Sequence, residues 1–266
     1  MISELLSIET VALLAAAGFI VGLLVGMTGV GAGALMTPML ISGFGIAPAV
    51  AVGTDLLFAA MTKSGGAWRH HRLGHVNWNI LGALAAGSIT AALLTLAALY
   101  YLAPGQVEIG KLIRPVLAVT LIISAIAVPV IPLIIGRTLK APTRPLQMRP
   151  LATMSFGLVL GVVVTLTSVG AGAIGVAVLT LLYPMLRARH IVGTDIVHAV
   201  PLTLLSGLGH MSVGNIDFAV LGALLFGSLP GIMIGSRLTS SIPDWLLRLV
   251  LSAVLAWAAY LVATKI

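Results

Sequence analysis

The chain has 266 residues, of which 59% are hydrophobic and only 8% are charged. Soluble domains carry about 25% charged residues, so this composition excludes an ordinary water-soluble core. The formal net charge of +7 would suit a nucleic-acid-binding domain. Here the basic residues lie between apolar segments, where they report membrane orientation, and we expect no nucleic-acid partner.

The predicted elements, in chain order, are a broken apolar element and three apolar helices, and this set occurs twice. Most of these segments have the roughly 17 or more apolar residues needed to cross a bilayer as a helix. Little period-2 alternation is present, which argues against an outer-membrane barrel. The predicted ranges are 10–45, 47–62, 76–102 and 112–135 in the first copy and 151–186, 190–209, 216–236 and 245–263 in the second.

A duplication explains this pattern. The tripeptide Gly-Thr-Asp at 53–55 recurs at 193–195, an offset of 140 residues, and Val-Gly-Ala-Gly at 30–33 recurs at 169–172, an offset of 139. Ordered identities in one frame are not produced by composition alone. We therefore predict two membrane repeats, 1–135 and 151–266, joined by a basic, proline-containing cytoplasmic linker at 136–150.

Each broken element is predicted to form a hairpin inside the membrane. The 36 residues of the range 10–45 would span about 54 Å as one helix, which is too long for a single crossing. Two arms separated at 28–33 are expected to be short for full crossings and to place the tip of the hairpin within the membrane. The first apolar segment follows Met-Ile-Ser-Glu, without the basic start of a cleaved signal peptide, so we expect it to be retained.

The distribution of Lys and Arg gives an independent test, because these residues collect on the cytoplasmic side. Hairpins would put 11 of the 14 basic residues on one face, whereas single crossings would put only 8 there. The hairpin leaves three crossings per copy, so the second copy must be inverted. The predicted fold is thus an all-α polytopic membrane protein of two inverted repeats, each a re-entrant hairpin plus three transmembrane helices. Secondary transporters often have this architecture, with the binding site at the repeat interface.

The two breaks are the predicted substrate site. Glycines let the backbone unwind and approach a ligand closely, and the helix that follows each break begins with N–H groups and a positive dipole end, which favour an anion. Close helix packing through small residues is the alternative interpretation. The candidate substrate-binding residues are Thr28, Gly29, Gly31, Gly33, Thr167, Ser168, Gly170 and Gly172.

Asp55 and Asp195 lie within apolar segments, where a carboxylate is costly unless it is partnered or functional. His198 lies three residues after Asp195, within reach on one helix face, so that the pair could carry a proton. With the adjacent Thr54 and Thr194, these residues are candidates for coupling or gating. The alternative is that both aspartates accept hydrogen bonds from the unwound breaks and hold them in place.

The remaining polar residues predict no further chemistry. Lys63 is interpreted as an orientation signal whose side chain extends toward the interface, and His70, His71, His75 and His210 as solvated interfacial residues. The chain has no cysteine, which excludes disulfides and thiolate metal sites. It also contains no P-loop, HExxH or GxSxG motif. We expect no catalytic residue, metal or cofactor, and therefore no enzyme.

The duplicated unit, with its Gly-rich break, its Gly-Thr-Asp helix and the stretch Gly-His-Val-Asn-Trp at 74–78, resembles the sulfite exporter TauE/SafE family over essentially the whole chain. The resemblance implies a multi-pass transporter of the bacterial inner membrane that moves sulfite, an organosulfonate or a related sulfur-containing or organic anion.

We therefore predict an alternating-access transporter for a small anion. An anion channel and a non-transporting membrane assembly subunit are the alternatives. The expected partners are the anionic substrate, the lipid bilayer and a proton or sodium ion as coupling ion. The formation of a homodimer is left open.

Overall fold

The computed structural model describes residues 7–28, 33–102, 106–138, 147–238 and 243–264. Within these residues the chain forms ten α-helices and no strand, which confirms the predicted all-α class. In chain order the helices are α1 (Ile8–Thr28), α2 (Gly33–Ser42), α3 (Pro48–Arg72), α4 (Trp78–Leu102), α5 (Gln106–Thr138), α6 (Pro150–Thr167), α7 (Ala173–Leu182), α8 (Ala188–Ser212), α9 (Phe218–Leu238) and α10 (Asp244–Thr264).

Seven of the described helices, α1, α4, α5, α6 and α8 to α10, are long and apolar enough to cross a membrane. The two arms of each broken element are unequal. We expected both arms to be short for a crossing, but α1 has 21 residues and α6 has 18. Helices α2 and α7 have 10 residues each, so they are only about 15 Å long, which is half of the hydrocarbon thickness. The expectation was wrong for the first arms because 21 and 18 apolar helical residues are enough for a crossing.

Helix α3 is the least apolar of the long helices and is also the most enclosed. It has 25 residues and is buried continuously from Ala51 to Ala60. Surrounding protein, rather than lipid, is what allows a helix to carry charged side chains at this depth. The helix continues to Arg72, ten residues past the end of the predicted range 47–62. The polarity of these residues suggested an earlier end, but the helix ends only before Gly74, which has a φ of +67°.

The two repeats interlock through two parallel helix pairs, α1 with α9 and α4 with α6. Small residues spaced by four let the backbones meet. A Cβ atom at Gly22 would overlap the carbonyl oxygen of Ser228, and one at Gly161 would overlap that of Ser88. These contacts are equivalent at the repeat offsets, and they are the close packing seen in small-xxx-small motifs. The glycines that make such contacts are Gly18, Gly22, Gly26, Gly227, Gly231 and Gly235 in one pair and Gly87, Gly157 and Gly161 in the other.

The equivalent helices α3 and α8 meet at the centre and run antiparallel. Gly53, near the start of α3, lies against Asn215, just after the end of α8. Gly193, near the start of α8, lies against His75, just after the end of α3. Equivalent helices of two inverted repeats run in opposite directions, so this pairing is compatible with the predicted inversion.

A matched pair of substitutions within α9 tests the interlocking contact. Gly227→Val is expected to destabilise the protein by about 1–3 kcal/mol or more, because the added carbon atoms would overlap the backbone of Ala15 in α1. Gly222→Val is the control, since a Cβ atom there meets nothing within 4 Å. Thermal unfolding of purified protein in detergent measures the difference. Equal melting temperatures for the two variants would contradict the packing described.

Candidate functional site

The second break is a short unwound segment between α6 and α7. Three of its residues have positive φ angles: Ser168 at 60°, Gly170 at 119° and Gly172 at 126°. Glycine adopts such conformations at little cost, and they turn the backbone sharply enough to start a new helix at Ala173. Ser168 caps α6 in the left-handed conformation.

Helix α2 begins directly against this break. A Cβ atom at Gly33 would overlap the carbonyl oxygen of Ser168. The candidate residue Thr28 ends α1, and Gly29 and Gly31 lie outside the described residues. The start of one half-length helix therefore meets the break that precedes the other, as the two-break site requires.

The hydroxyl groups of Thr167 and Ser168 differ in their availability. Thr167 donates to the carbonyl of Val163 at 2.7 Å and accepts from the N–H of Val169 at 3.1 Å, so it stabilises the break itself. Within the described residues the Ser168 hydroxyl forms no hydrogen bond of good geometry, although it interacts with the nearby Asp55 carboxylate and the residue is only 4% exposed. Of the two candidate hydroxyl groups, Ser168 is therefore the one able to bind a ligand.

Asp55 connects α3 to α2 and to the second break. The side chain is fully buried and accepts a hydrogen bond from the hydroxyl of Thr37 at 2.5 Å. The Ser168 side chain and the charge of Lys63 also interact with this carboxylate. Asp55 thus holds the half-length helix against the break, which is the structural interpretation that the sequence left open.

Asp195 has a different environment, at the N-terminal end of α7. It receives a backbone hydrogen bond from Gly172 and lies against Gly175, where a Cβ atom would overlap its Oδ1 atom. Among the residues that the structure describes, this Oδ1 atom has no hydrogen-bond partner. The residue equivalent to Thr37 is Val176, which offers no hydroxyl group. Lys63 and the backbone N–H of Gly172 therefore stabilise the charge of this carboxylate.

Lys63 points into the protein, contrary to its interpretation as an orientation signal. Its Nζ atom donates to the carbonyl of Ala171 in the second break at 2.9 Å, and its charge acts on both Asp55 and Asp195. The equivalent residue is Thr203, so only one repeat supplies a cation here. Without Lys63, ten of the 14 basic residues still fall on the predicted inner face, so the orientation argument is unchanged.

His198 does not pair with Asp195 as predicted. Its Nε2 atom shares a hydrogen bond of 2.7 Å with the hydroxyl of Ser88 in α4, and its Nδ1 atom has no partner. His210 is also an interior residue and not a solvated one, because it is fully buried and donates from Nε2 to the carbonyl of Thr165 at 3.0 Å. Both histidines connect helices of the core.

Thr54 and Thr194 connect the repeats and do not face the carboxylates' site. The Thr54 hydroxyl accepts from the N–H of Asp217 at 3.0 Å, and the Thr194 hydroxyl accepts from the N–H of Asn77 at 2.9 Å. Asp217 and Asn77 precede α9 and α4, whose first N–H groups lack partners within the helix. The three residues of the duplicated Gly-Thr-Asp tripeptide have different contacts. The glycine lies against a turn of the other repeat, the threonine accepts from the N–H of the residue that caps the helix following that turn, and the aspartate reaches the breaks.

Replacement of Thr194 tests this structural role. Thr194→Val is expected to destabilise the protein by about 1–3 kcal/mol, because the N–H of Asn77 loses its acceptor. Thr194→Ser keeps the hydroxyl and should retain most of the stability. Thermal unfolding gives the first comparison, and transport per folded molecule gives the second. A Thr194→Val protein of unchanged stability but altered ion coupling would restore the predicted coupling role.

The candidate site is closed to solvent in this conformation. Asp55 and Asp195 are 0% and 1% exposed, and Lys63 retains partial exposure. A separate groove of about 580 Å³ lies between α4, α5 and α6, but its lining is almost entirely Ala, Leu and Val. That groove offers no charge to an anion, so the site at the breaks is the better candidate.

Comparison with known proteins gives a consistent picture. The family model described as sulfite exporter TauE/SafE matches residues 14–262. The chain is 36% identical over 242 residues to the probable membrane transporter protein YjnA of Bacillus subtilis (strain 168), covering 90% of this chain and 94% of that protein. It is 28% identical over 242 residues to the probable membrane transporter protein YdhB of the same organism, covering 86% and 91%. No solved structure matches the chain.

Proposed function

The chain belongs to the sulfite exporter TauE/SafE family of multi-pass membrane transporters, and on that basis we propose that it is a secondary transporter for a small anion. The substrate class is sulfite, an organosulfonate or a related sulfur-containing or organic anion, and the membrane is the bacterial inner membrane. Transport proceeds by alternating access. The observation that carries this proposal is the meeting of Lys63, the unwound second break and the start of α2 at one buried point.

The proposed anion site uses groups that are already in place. Lys63 supplies the positive charge, the Ser168 hydroxyl is a donor without a well-formed hydrogen bond among the described residues, and the backbone around Gly172 opens the N-terminus of α7. Helix N-termini bind anions through their N–H groups and their dipole. Contact between Gly33 and Ser168 leaves little room, which favours a small ligand. By the repeat relationship, Thr28, Gly29 and Gly31 are the proposed counterparts in the first break.

Alternating access is supported by the closed site and by the antiparallel pairing of α3 and α8. Inverted repeats exchange conformations in transporters, so that the central site opens first to one side and then to the other. Two carboxylates and one lysine leave the site with one excess negative charge when all three are ionised. A cation must therefore accompany the anion, and we propose a proton or a sodium ion.

Flux measurements on the purified chain in proteoliposomes test the proposal. The panel should contain sulfite, alkanesulfonates and carboxylates, with proton and sodium gradients imposed separately. Saturable uptake of one anion that follows a cation gradient is the expected result. Large unitary currents would instead show an anion channel, and a lack of flux for the whole panel would favour an assembly subunit.

A further inference from the structure

We propose that the Asp195 carboxylate is a built-in competitor of the transported anion, and that protonation of Asp195 frees the site, so that the coupling ion is a proton. This inference rests on the proposed function and specifies its coupling step. It assigns different roles to the two equivalent aspartates: Asp195 exchanges with the substrate, whereas Asp55 remains a fixed structural carboxylate.

Asp195 occupies the place that a substrate anion would take. Its carboxylate lies at the N-terminal end of α7, between the N–H of Gly172 and the α-carbon of Gly175. A substrate anion would seek the same N–H groups and the same dipole. Two anions at one helix terminus repel each other strongly at a site closed to water. The substrate therefore enters only when the carboxylate is neutral or displaced.

The two carboxylates differ in the hydrogen-bond donors that surround them. Asp55 accepts a hydrogen bond of 2.5 Å from Thr37, so its ionised form has a dedicated donor. Asp195 has Val176 at the equivalent position, which offers no such donor. Within the described residues the Oδ1 atom of each carboxylate lacks a hydrogen-bond partner, so the difference between them lies in the Thr37 hydroxyl. Loss of charge at Asp195 removes its attraction for Lys63 and weakens its hydrogen bond with the Gly172 N–H, so that both groups can turn to the substrate.

The charges around Asp195 determine what its protonation does. Lys63 of α3 acts on Asp195 and also on Asp55, and the neighbouring titratable group on α8 itself is His198, which is held by Ser88 of α4. Helix α7 carries no titratable side chain. Protonation places one proton from water on an Asp195 oxygen, and Lys63 then balances Asp55 alone. One proton therefore accompanies each anion, and both leave on the opposite side.

The same geometry favours a proton over a sodium ion. Sodium requires several oxygen ligands around it, but the Oδ1 atom of Asp195 faces the α-carbon of Gly175, and Lys63 places a positive charge nearby. The Ser168 side chain carries another oxygen atom, but this side chain interacts with Asp55. A proton needs only one carboxylate oxygen.

Two variants remove the competitor by different means. Asp195→Asn removes the charge and keeps the shape. Gly175→Ala leaves the carboxylate intact but places a methyl group where its Oδ1 atom lies, so the carboxylate must move away from the α7 terminus. Asp55→Asn tests the other carboxylate of the site, and Gly222→Ala is the matched control for Gly175→Ala, since a Cβ atom at Gly222 meets nothing among the described residues within 4 Å.

The experiment is calorimetric binding of methanesulfonate, whose charge is constant, to purified protein between pH 5.5 and 8.5. We expect the wild-type affinity to fall toward tenfold per pH unit at the alkaline end, with uptake of one proton per bound anion. Asp195→Asn and Gly175→Ala should bind at least about tenfold more tightly than wild type at pH 8.5 and lose most of this pH dependence. Asp55→Asn and Gly222→Ala should keep it.

Three results would overturn the inference. Wild-type binding without proton uptake would do so, as would an Asp195→Asn protein that keeps the full pH dependence. If Asp195→Asn does not fold, Gly175→Ala decides the question, and an unchanged pH profile in that variant would count against the competitor role. Absence of methanesulfonate binding by the wild type at every pH, by contrast, would overturn the proposed sulfonate-type site itself.

Discussion

Lys63→Met is expected to reduce anion transport by at least tenfold and on the order of 100-fold. The Lys63 ammonium donates to the Ala171 carbonyl and is the cation that the described residues place beside Asp55 and Asp195. A hydrogen bond to a charged group contributes about 1.5–3 kcal/mol, and each 1.4 kcal/mol corresponds to tenfold in affinity. Initial rates of anion uptake into proteoliposomes, normalised to folded protein, measure the effect.

Three control variants separate this role from protein stability and from membrane orientation. Lys111→Met removes an exposed cation on α5 and should leave transport near the wild-type level. Lys63→Arg keeps the charge and should retain part of the activity. The double variant Lys63→Met with Asp195→Asn removes both members of a buried charge pair, so it should recover stability without recovering transport. Wild-type transport by folded Lys63→Met would show that Lys63 serves only orientation.

Gly33→Ala is expected to abolish transport, because it separates the two halves of the site. The added methyl group would overlap the Ser168 carbonyl oxygen, which belongs to the backbone and cannot rotate away. Forced overpacking of this kind costs about 1–3 kcal/mol and would move α2 away from the break. Gly65→Ala in α3 is the control, since a Cβ atom there meets nothing within 4 Å.

The informative result is a comparison of stability with function. We expect Gly33→Ala protein to insert and to resist proteolysis as the control does, with a lower melting temperature and no saturable flux. Transport by Gly33→Ala at the rate of Gly65→Ala would show that the contact between α2 and the second break has no functional role.

The fold class could be predicted from the sequence because composition and helix length alone specify a helical membrane protein. Helix boundaries were less predictable where polar residues continue a helix inside the protein, as they do after Thr62 in α3. The unequal arms of the broken elements were missed because both were assumed to stop short of a crossing. The packing of α1 against α9 can be predicted from Gly18, Gly22 and Gly26, because glycines spaced four residues apart indicate a helix-packing surface.

The site was predicted in part. The break at 168–172 and the burial of both aspartates follow from glycine content and apolar surroundings. The role of Lys63 was missed because a lysine near a helix end resembles an orientation signal. Its position eight residues after Asp55, about two turns along one helix, becomes informative only once α3 is known to continue past it. The partners of Thr54, Thr194 and His198 come from the other repeat, and pairings of this kind depend on how the repeats pack.

The most direct test of the central claim is the accessibility of a single cysteine at position 168. The chain contains no cysteine, so Ser168→Cys gives a unique thiol at the break. In membrane vesicles of both orientations, a small charged thiol reagent should label this residue from either side, and a transported anion at saturating concentration should slow the labelling by about tenfold or more. Labelling that occurs from neither side, or that is unaffected by every anion transported, would contradict an alternating anion site at the meeting of the breaks.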